Sequence, residues 1–279
     1  MSRITYTAMN TMSQLQKQLD IISNNVANVD TAGYKKQRAS FQELLIQQHN
    51  NHPLRDNSPR LTPQGVRIGT GGKVGQVQTV ANQGAIKETG RPLDFALTVP
   101  NQYFKVLAPN GNELNVHYTR DGAFYLSPIN DTEVALVTSE GHRVLDEDNN
   151  PIIFNGDLTN VSLGDDGIVT FFNERGVSAS FALGVVQVNN PQALVKTGNN
   201  LLTLPDHLQN EDITIDDLIV NLVGAARDQI GLNHQALEQS NIDLIEEMTN
   251  LIQTQRAYQF QARAITLADQ MSGLVNGIR

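Results

Sequence analysis
The chain has 279 residues and a formal net charge of −9, with 39% hydrophobic, 18% charged and 5% aromatic residues and neither cysteine nor tryptophan. That length supports more than one domain and a sizeable core. The acidic balance, with no run of Lys or Arg against it, argues against a nucleic-acid partner, because phosphate binding needs concentrated cations, and the missing cysteines exclude disulfides, thiol nucleophiles and Cys-ligated zinc.

At the N-terminus there is no continuous apolar core followed by a small-residue cleavage site, and no stretch reaches the roughly 18 apolar residues of a membrane span. No membrane insertion is expected, and passage out of the cytoplasm would proceed without a cleaved signal. Ser2 to Asn28 is predicted to be a helix, because Ala8, Met12, Leu15, Leu19, Ile22, Val26 and Val29 follow at alternating steps of four and three, a heptad pattern. Asn28 to Gly33 is rich in helix-terminating residues, and the helix is predicted to stop there.

Phe41 to Pro63 reads as a polar connection broken by Asn and Pro. His49 and His52 have a spacing that a metal could use on a helix, yet they sit beside helix breakers and are expected in a solvated loop. The glycines from Gly65 to Gly75 do not form a phosphate loop, since Arg67 and Val74 stand where Gly and Ser or Thr are required. They are expected to bend the backbone at the entry to a β domain.

From Val74 to about Leu204 the period changes to two, in short runs separated by turns. Strands are predicted at 93–99, 103–107, 114–120, 123–126, 134–138, 144–145, 152–154, 161–163, 168–172 and 177–188, in an antiparallel β domain. Pro109-Asn110-Gly111-Asn112 is predicted to turn, and Asp121-Gly122 to close a tight hairpin between its flanking runs. Asp146, Asp148, Asn150 and Asp157 have calcium-loop spacing, but Pro151 occupies the place that needs glycine, so a solvent-facing turn is expected. Asp165-Asp166-Gly167 reads as another turn.

Ser240 to Ile278 is predicted to be one uninterrupted helix, opened by a capping box at Ser240 and Asp243 and roughly 50 Å long at about 1.5 Å per residue. Leu244, Met248, Leu251, Gln255, Tyr258, Ala262 and Ile265 repeat the four-three spacing. Two matching stripes at the termini predict an α+β protein: N- and C-terminal helices paired in a coiled-coil-like α domain, and a central antiparallel β domain. The expected organisation is a discontinuous helical domain of 1–33 and 236–279, an extended connector of 34–73, a β domain of 74–205 and a return connector of 206–235. Gln255 on the heptad, with Arg256 and Glu246 or Glu247 beside it, is expected to fix register and partner choice.

Asn24-Asn25-x-Ala27-Asn28-x-x-Thr31-x-Gly33-Tyr34-Lys35 resembles the N-terminal signature of the flagellar rod and hook proteins at every fixed place. Leu237-Glu238-Gln239-Ser240-Asn241, then Glu247-Met248 and Gln255-Arg256-Ala257-Tyr258, resembles the C-terminal signature of the same family. Similar blocks fall between them, including Leu93 to Leu97, Tyr118 to Phe124, Gly141 to Asp146 and Asn190 to Leu194. The chain departs from the family at Val99-Pro100-Asn101-Gln102 and at His234-Gln235, where the family pattern has a glycine, and in the acidic, apolar stretch between Asp206 and Gly231.

The resemblance implies a structural subunit of the flagellar basal body, most like a distal-rod protein, with a hook-type paralogue as the alternative within the family. It implies a helical homopolymer with other rod and hook proteins as neighbours and the flagellar export apparatus as a transient partner, with no catalytic residues, metal or cofactor. The competing class is a secreted β-domain enzyme or binding module on a helical stalk. His-Glu-x-x-His and Gly-x-Ser-x-Gly are absent from the chain.

Overall fold
The fold is that of a computed structural model, which describes residues 3–43, 46–49, 66–69, 72–110, 113–130, 132–155, 160–164, 166–173, 176–198, 200–204 and 218–277. His52, Asp157, Asp165, most of the polar connection and much of the acidic return stretch lie outside these residues. The chain divides into two compact units, one of 1–27, 37–78 and 243–279 and the other of 28–36 and 79–242.

In the first unit, helix α1 (Arg3–Ala27) packs along the C-terminal helix α2 (Leu244–Gly277), as the paired stripes predict. α2 has 34 residues. Its N-cap differs from the expected capping box: Asp243 Oδ1 accepts from the backbone N–H groups of Ile245 at 2.9 Å and Glu246 at 3.2 Å. Glu246 and Glu247 in the first turn face the positive end of the helix dipole. The expected connector forms strands β1 (Gln37–Glu43), β2 (Ile46–His49), β3 (Val66–Gly69) and β4 (Gly72–Thr79), with β1 against β4 and β2 antiparallel to β3. His49 closes this second ladder opposite Val66. Gln14 of α1 is buried and accepts from the Val74 N–H at 3.0 Å.

The second unit is antiparallel throughout its described ladders. It contains β5 (Ile86–Glu88), β6 (Phe95–Leu97), β7 (Gln102–Asn110), β8 (Glu113–Thr119), β9 (Phe124–Pro128), β10 (Glu133–Thr138), β11 (Arg143–Val144) and β12 (Ile153–Asn155). These are followed by β13 (Asn160–Leu163), β14 (Ile168–Asn173), β15 (Gly176–Ala182), β16 (Val185–Val188), β17 (Val195–Gly198), β18 (Leu201–Thr203), β19 (Ile219–Asn221), β20 (Leu232–His234) and β21 (Ala236–Glu238). Among the described residues the largest sheet runs β12-β10-β11-β7-β8-β18-β17, with β16 joining β7 and β19, and β9 joining β10. β13, β14 and β15 form a separate meander, and β20 and β21 return to β6 and β5.

Both faces of the central strands are covered. Phe104, Val106 and Ala108 of β7 point into one cluster with Phe95, Phe124, Leu136, Val169 and Phe171. Tyr103 joins Tyr118, Val186, Val188 and Ile219 in the other. Burial on both faces removes the need for polar residues at alternate positions, so the apolar run of β7 is nearly continuous.

Asp121-Gly122 does not close the expected hairpin. β8 pairs with β7 and β18, whereas β9 pairs with β10. The glycine serves a close backbone approach instead: the Gly122 carbonyl accepts from the Phe95 N–H at 3.1 Å, and a Cβ at Gly122 would overlap the Phe95 carbonyl. β7 pairs with β8 up to Asn110 opposite Glu113, and Gly111 and Asn112 of the predicted turn lie outside the described residues.

Two non-glycine residues with positive φ coincide with the departures from the family pattern. Asn101 has φ of 61° and Gln235 of 58°. The backbone keeps the left-handed turn at both places and bears the side chain there.

Candidate functional site
The two terminal signatures, far apart in sequence, converge on one buried carboxylate of the second unit. Glu238, 2% exposed, accepts from Lys35 Nζ at 2.5 Å, Arg120 Nε at 2.5 Å and the Gly84 N–H at 2.8 Å. Its backbone carbonyl accepts from the Gly33 N–H at 2.8 Å. Lys35 also donates to the Asn82 carbonyl at 2.9 Å, and Arg120 to the carbonyls of Gln102 and Leu97. Burial holds the Lys35 ammonium below the usual lysine pKa, and the hydrogen bond to Glu238 opposes that shift. Two cations and one carboxylate out of water form a triad in which each charge depends on the others.

Gly33 permits this convergence. Its φ is +66°, and a Cβ there would lie 2.5 Å from the Arg120 carbonyl carbon. The signature glycine is therefore demanded both by backbone conformation and by contact with the block around Arg120. Asn200 Nδ2 donates to the Ala32 carbonyl at 2.8 Å, and Lys196 lies 4.0 Å over the Tyr34 ring. These contacts explain why 28–36 belongs to the second unit, although the sequence suggested that the helical domain continues to Gly33.

Two signature asparagines act as side-chain stand-ins for backbone. In the first unit, Asn25 Nδ2 donates to the Gln37 carbonyl at 2.8 Å, Asn25 Oδ1 accepts from the Gln37 N–H at 3.0 Å, and the amide also reaches Glu247 Oε2 at 3.4 Å. In the second, Asn241 Oδ1 accepts from the Lys36 N–H at 2.7 Å while its amide donates to the Val80 and Asn82 carbonyls, both at 2.9 Å. An amide that presents donor and acceptor together pairs with backbone N–H and C=O groups as a neighbouring strand would. Thr31 Oγ1 donates to Asn28 Oδ1 at 3.2 Å, which tightens the turn after α1.

The remaining signature residues are less enclosed. Thr31, Leu237 and Asn28 are half-buried, and Asn24, Ala27, Arg256 and Ala257 are exposed. Ser240 is half-buried, and its Oγ has no hydrogen-bond partner among the described residues.

The helix stripes divide in an unexpected way. Ala8 and Ile22 are buried, and Met12, Leu15, Leu19, Val26, Val29, Leu251, Tyr258, Ala262 and Ile265 are half-buried. Leu244, Met248 and Gln255 are exposed in the single chain. The fully buried side chains of α2 are polar, Glu247 and Thr254, whereas Ile245 is 80% exposed and Phe260 70%. Sequence reasoning missed this because Glu247 finds the Asn25 amide and Thr254 Oγ1 donates to the Asn250 carbonyl at 2.7 Å. At about 100° per residue, Ile245, Ile252 and Phe260 lie about half a turn from Glu247 and Thr254. Leu267, Met271, Leu274 and Val275 continue the exposed apolar surface to the end of the helix.

The acidic loop with calcium-like spacing already holds a cation. Lys105, 2% exposed, donates from Nζ to the Glu147 carbonyl and to Asn149 Oδ1, both at 2.8 Å. Asp146 Oδ1 accepts from the N–H groups of Asp148 and Asn150, so this side chain shapes the turn. Among the described residues, no cluster of three or more His, Asp or Glu side chains is placed to hold a metal, and no helix is long and apolar enough to cross a membrane.

Three family profiles match in chain order. "Flagella basal body rod protein" covers residues 6–35, "Flagellar hook protein FlgE/F/G D1 domain" covers 100–171, and "Flagellar basal body rod FlgEFG protein C-terminal" covers 233–278. The chain is 40% identical to the flagellar hook-basal body complex protein FlhP of Bacillus subtilis (strain 168), over 100% of both chains. It is 31% identical to the flagellar basal-body rod protein FlgG of Borreliella burgdorferi, over 100% of this chain and 99% of that one. The same identity relates it to FlgG of Bacillus subtilis, over 99% of each. With Lys35 and Glu238 of its two signatures joined in one buried cluster and its full length matched by these relatives, the chain belongs to the structural rod and hook protein family of the flagellar basal body.

Proposed function
We propose that the chain is a distal-rod-type subunit that polymerises into the axial tube of the bacterial flagellum and transmits torque through it, and that it is not an enzyme. Its neighbours are further copies of itself and other rod and hook proteins, and it reaches the assembly through the flagellar export apparatus. The observation that carries this reading is the outward apolar face of α2. A helix that keeps Glu247 and Thr254 inside and Ile245, Ile252 and Phe260 outside is half of an interface. Heterologous contacts that do not close by rotation generate an open helical polymer, and adjacent copies in such a polymer cover these side chains. Leu15, Leu19, Ile22, Val26, Met248, Leu251, Tyr258 and Ile265 take part in packing within and between subunits.

Sedimentation and electron microscopy of the purified chain test this. Phe260→Asp and Ile252→Asp alter exposed positions, so the isolated chain keeps its unfolding midpoint while ordered polymers disappear. Leu19→Asp and Leu251→Asp, at half-buried positions, abolish polymers and leave the β unit folded. Polymers of wild-type length from Phe260→Asp would remove the basis for the assignment.

A further inference from the structure
Beside the Glu238 triad lies an opening whose charge is not balanced. A pocket of about 20 Å³ is lined by Lys35, Thr79, Tyr103, Arg120, Lys196 and Asn200, together with the backbone of Gly33 and the apolar Leu202. The triad contributes two cations and one carboxylate, and Lys196 adds a third cation with no carboxylate in ion-pair reach among the described residues. Two positive charges are therefore left at one small cavity of a chain whose net charge is −9.

The unused valences of its cations are all donors. An ammonium has three N–H donors, and Lys35 uses two of its own, on Asn82 and Glu238. A guanidinium has five, and Arg120 uses three. The Lys196 ammonium faces the Tyr34 ring at 4.0 Å, and the Arg120 guanidinium lies 5.9 Å from the centre of the Tyr103 ring. Burial depresses the pKa of both Lys35 and Lys196, a cost that an incoming anion removes.

We propose that this pocket binds a carboxylate, held by Lys196 and by the spare donors of Lys35 and Arg120. Its space is limited to about one such group, and its unused groups are predominantly donors. The carboxylate comes either from an acidic side chain of a second copy or from a small ion in solution. The site stands apart from the polymer reading, because its occupancy is measured on the unassembled chain.

The test is thermal unfolding of the full chain in sodium acetate against sodium chloride at constant ionic strength. Wild type shows a saturable rise in midpoint specific to acetate. Lys196→Met, which keeps an unbranched aliphatic side chain and removes the charge, shifts half-saturation at least about tenfold upward, as expected for loss of a charge-assisted contact, and Lys196→Arg retains the response. Circular dichroism establishes that each variant is folded, and ¹³C-detected titration of Lys196 shows its pKa rising with acetate. Equal responses of wild type and a folded Lys196→Met, or no acetate-specific response of wild type, would overturn the proposal. Self-association that depends on Lys196 and is competed by acetate identifies a neighbour's side chain as the source. Association indifferent to both, with the thermal response intact, identifies the free ion.

Discussion

Glu238→Gln preserves the size of the side chain and removes the one negative charge of the triad. Two cations, 7% and 4% exposed at Lys35 and Arg120, then remain buried side by side. Removing one partner from a buried ion pair costs about 3–5 kcal/mol, mostly because the remaining charge is left uncompensated. Lys35 limits the loss by giving up its proton, since burial already lowers its pKa from 10.5. The native variant then binds fewer protons than its unfolded chain, so the deficit is larger at neutral pH and shrinks as pH rises toward the ordinary lysine value. Urea unfolding followed by circular dichroism measures it, with the β unit's transition displaced and its m-value unchanged. The corresponding fall in midpoint temperature is roughly 6–20 °C. Adding Lys35→Met recovers part of the loss, with a coupling of about 1 kcal/mol or more. A loss under about 1 kcal/mol at neutral pH, with unchanged m-value, would refute the view that the signatures are joined by mutual charge compensation.

Gln235→Gly stabilises the β unit by about 0.5–1 kcal/mol, because relief of the left-handed strain exceeds the added freedom of the unfolded chain; a lower urea midpoint would contradict this. Asp243→Ala destabilises α2 by about 1 kcal/mol through loss of its cap, whereas Ser240→Ala is neutral or slightly stabilising, as hydrogen exchange in the first turn of α2 and urea midpoints would show. His117 is fully buried, and among the described residues neither ring nitrogen has a hydrogen-bond partner. Burial, with His142 as a lesser cause, lowers its pKa below the ordinary 6.5. Below about pH 6.5 the unfolded chain takes up a proton that the native imidazole refuses, so stability falls as pH falls, by up to about 1.4 kcal/mol per pH unit from this group. His117→Leu removes that share of the slope, measured as the difference between the two stability profiles over about pH 5 to 6.5.

The sequence by itself determined the two terminal helices, the antiparallel β unit between them and the family. Helical period and strand alternation are local properties, and the signatures are read as strings. Of the positions expected from that period, Ala8 and Ile22 are buried and Leu251 and Tyr258 are half-buried. Tertiary structure decided which face of α2 turns inward, because Glu247 becomes a buried residue only where Asn25 is brought to meet it. It decided that Asp121-Gly122 makes room for Phe95 instead of closing a hairpin, a choice set by the neighbouring backbone and invisible in the dipeptide. It also showed strands β1, β2 and β3 within the 34–73 stretch that was expected to be an extended connector, since a ladder needs both partners to be recognised. Lys35 and Glu238 stood in separate signatures as two unrelated charges. Folding removes both from water together with Arg120, and it is their shared desolvation that makes them one site.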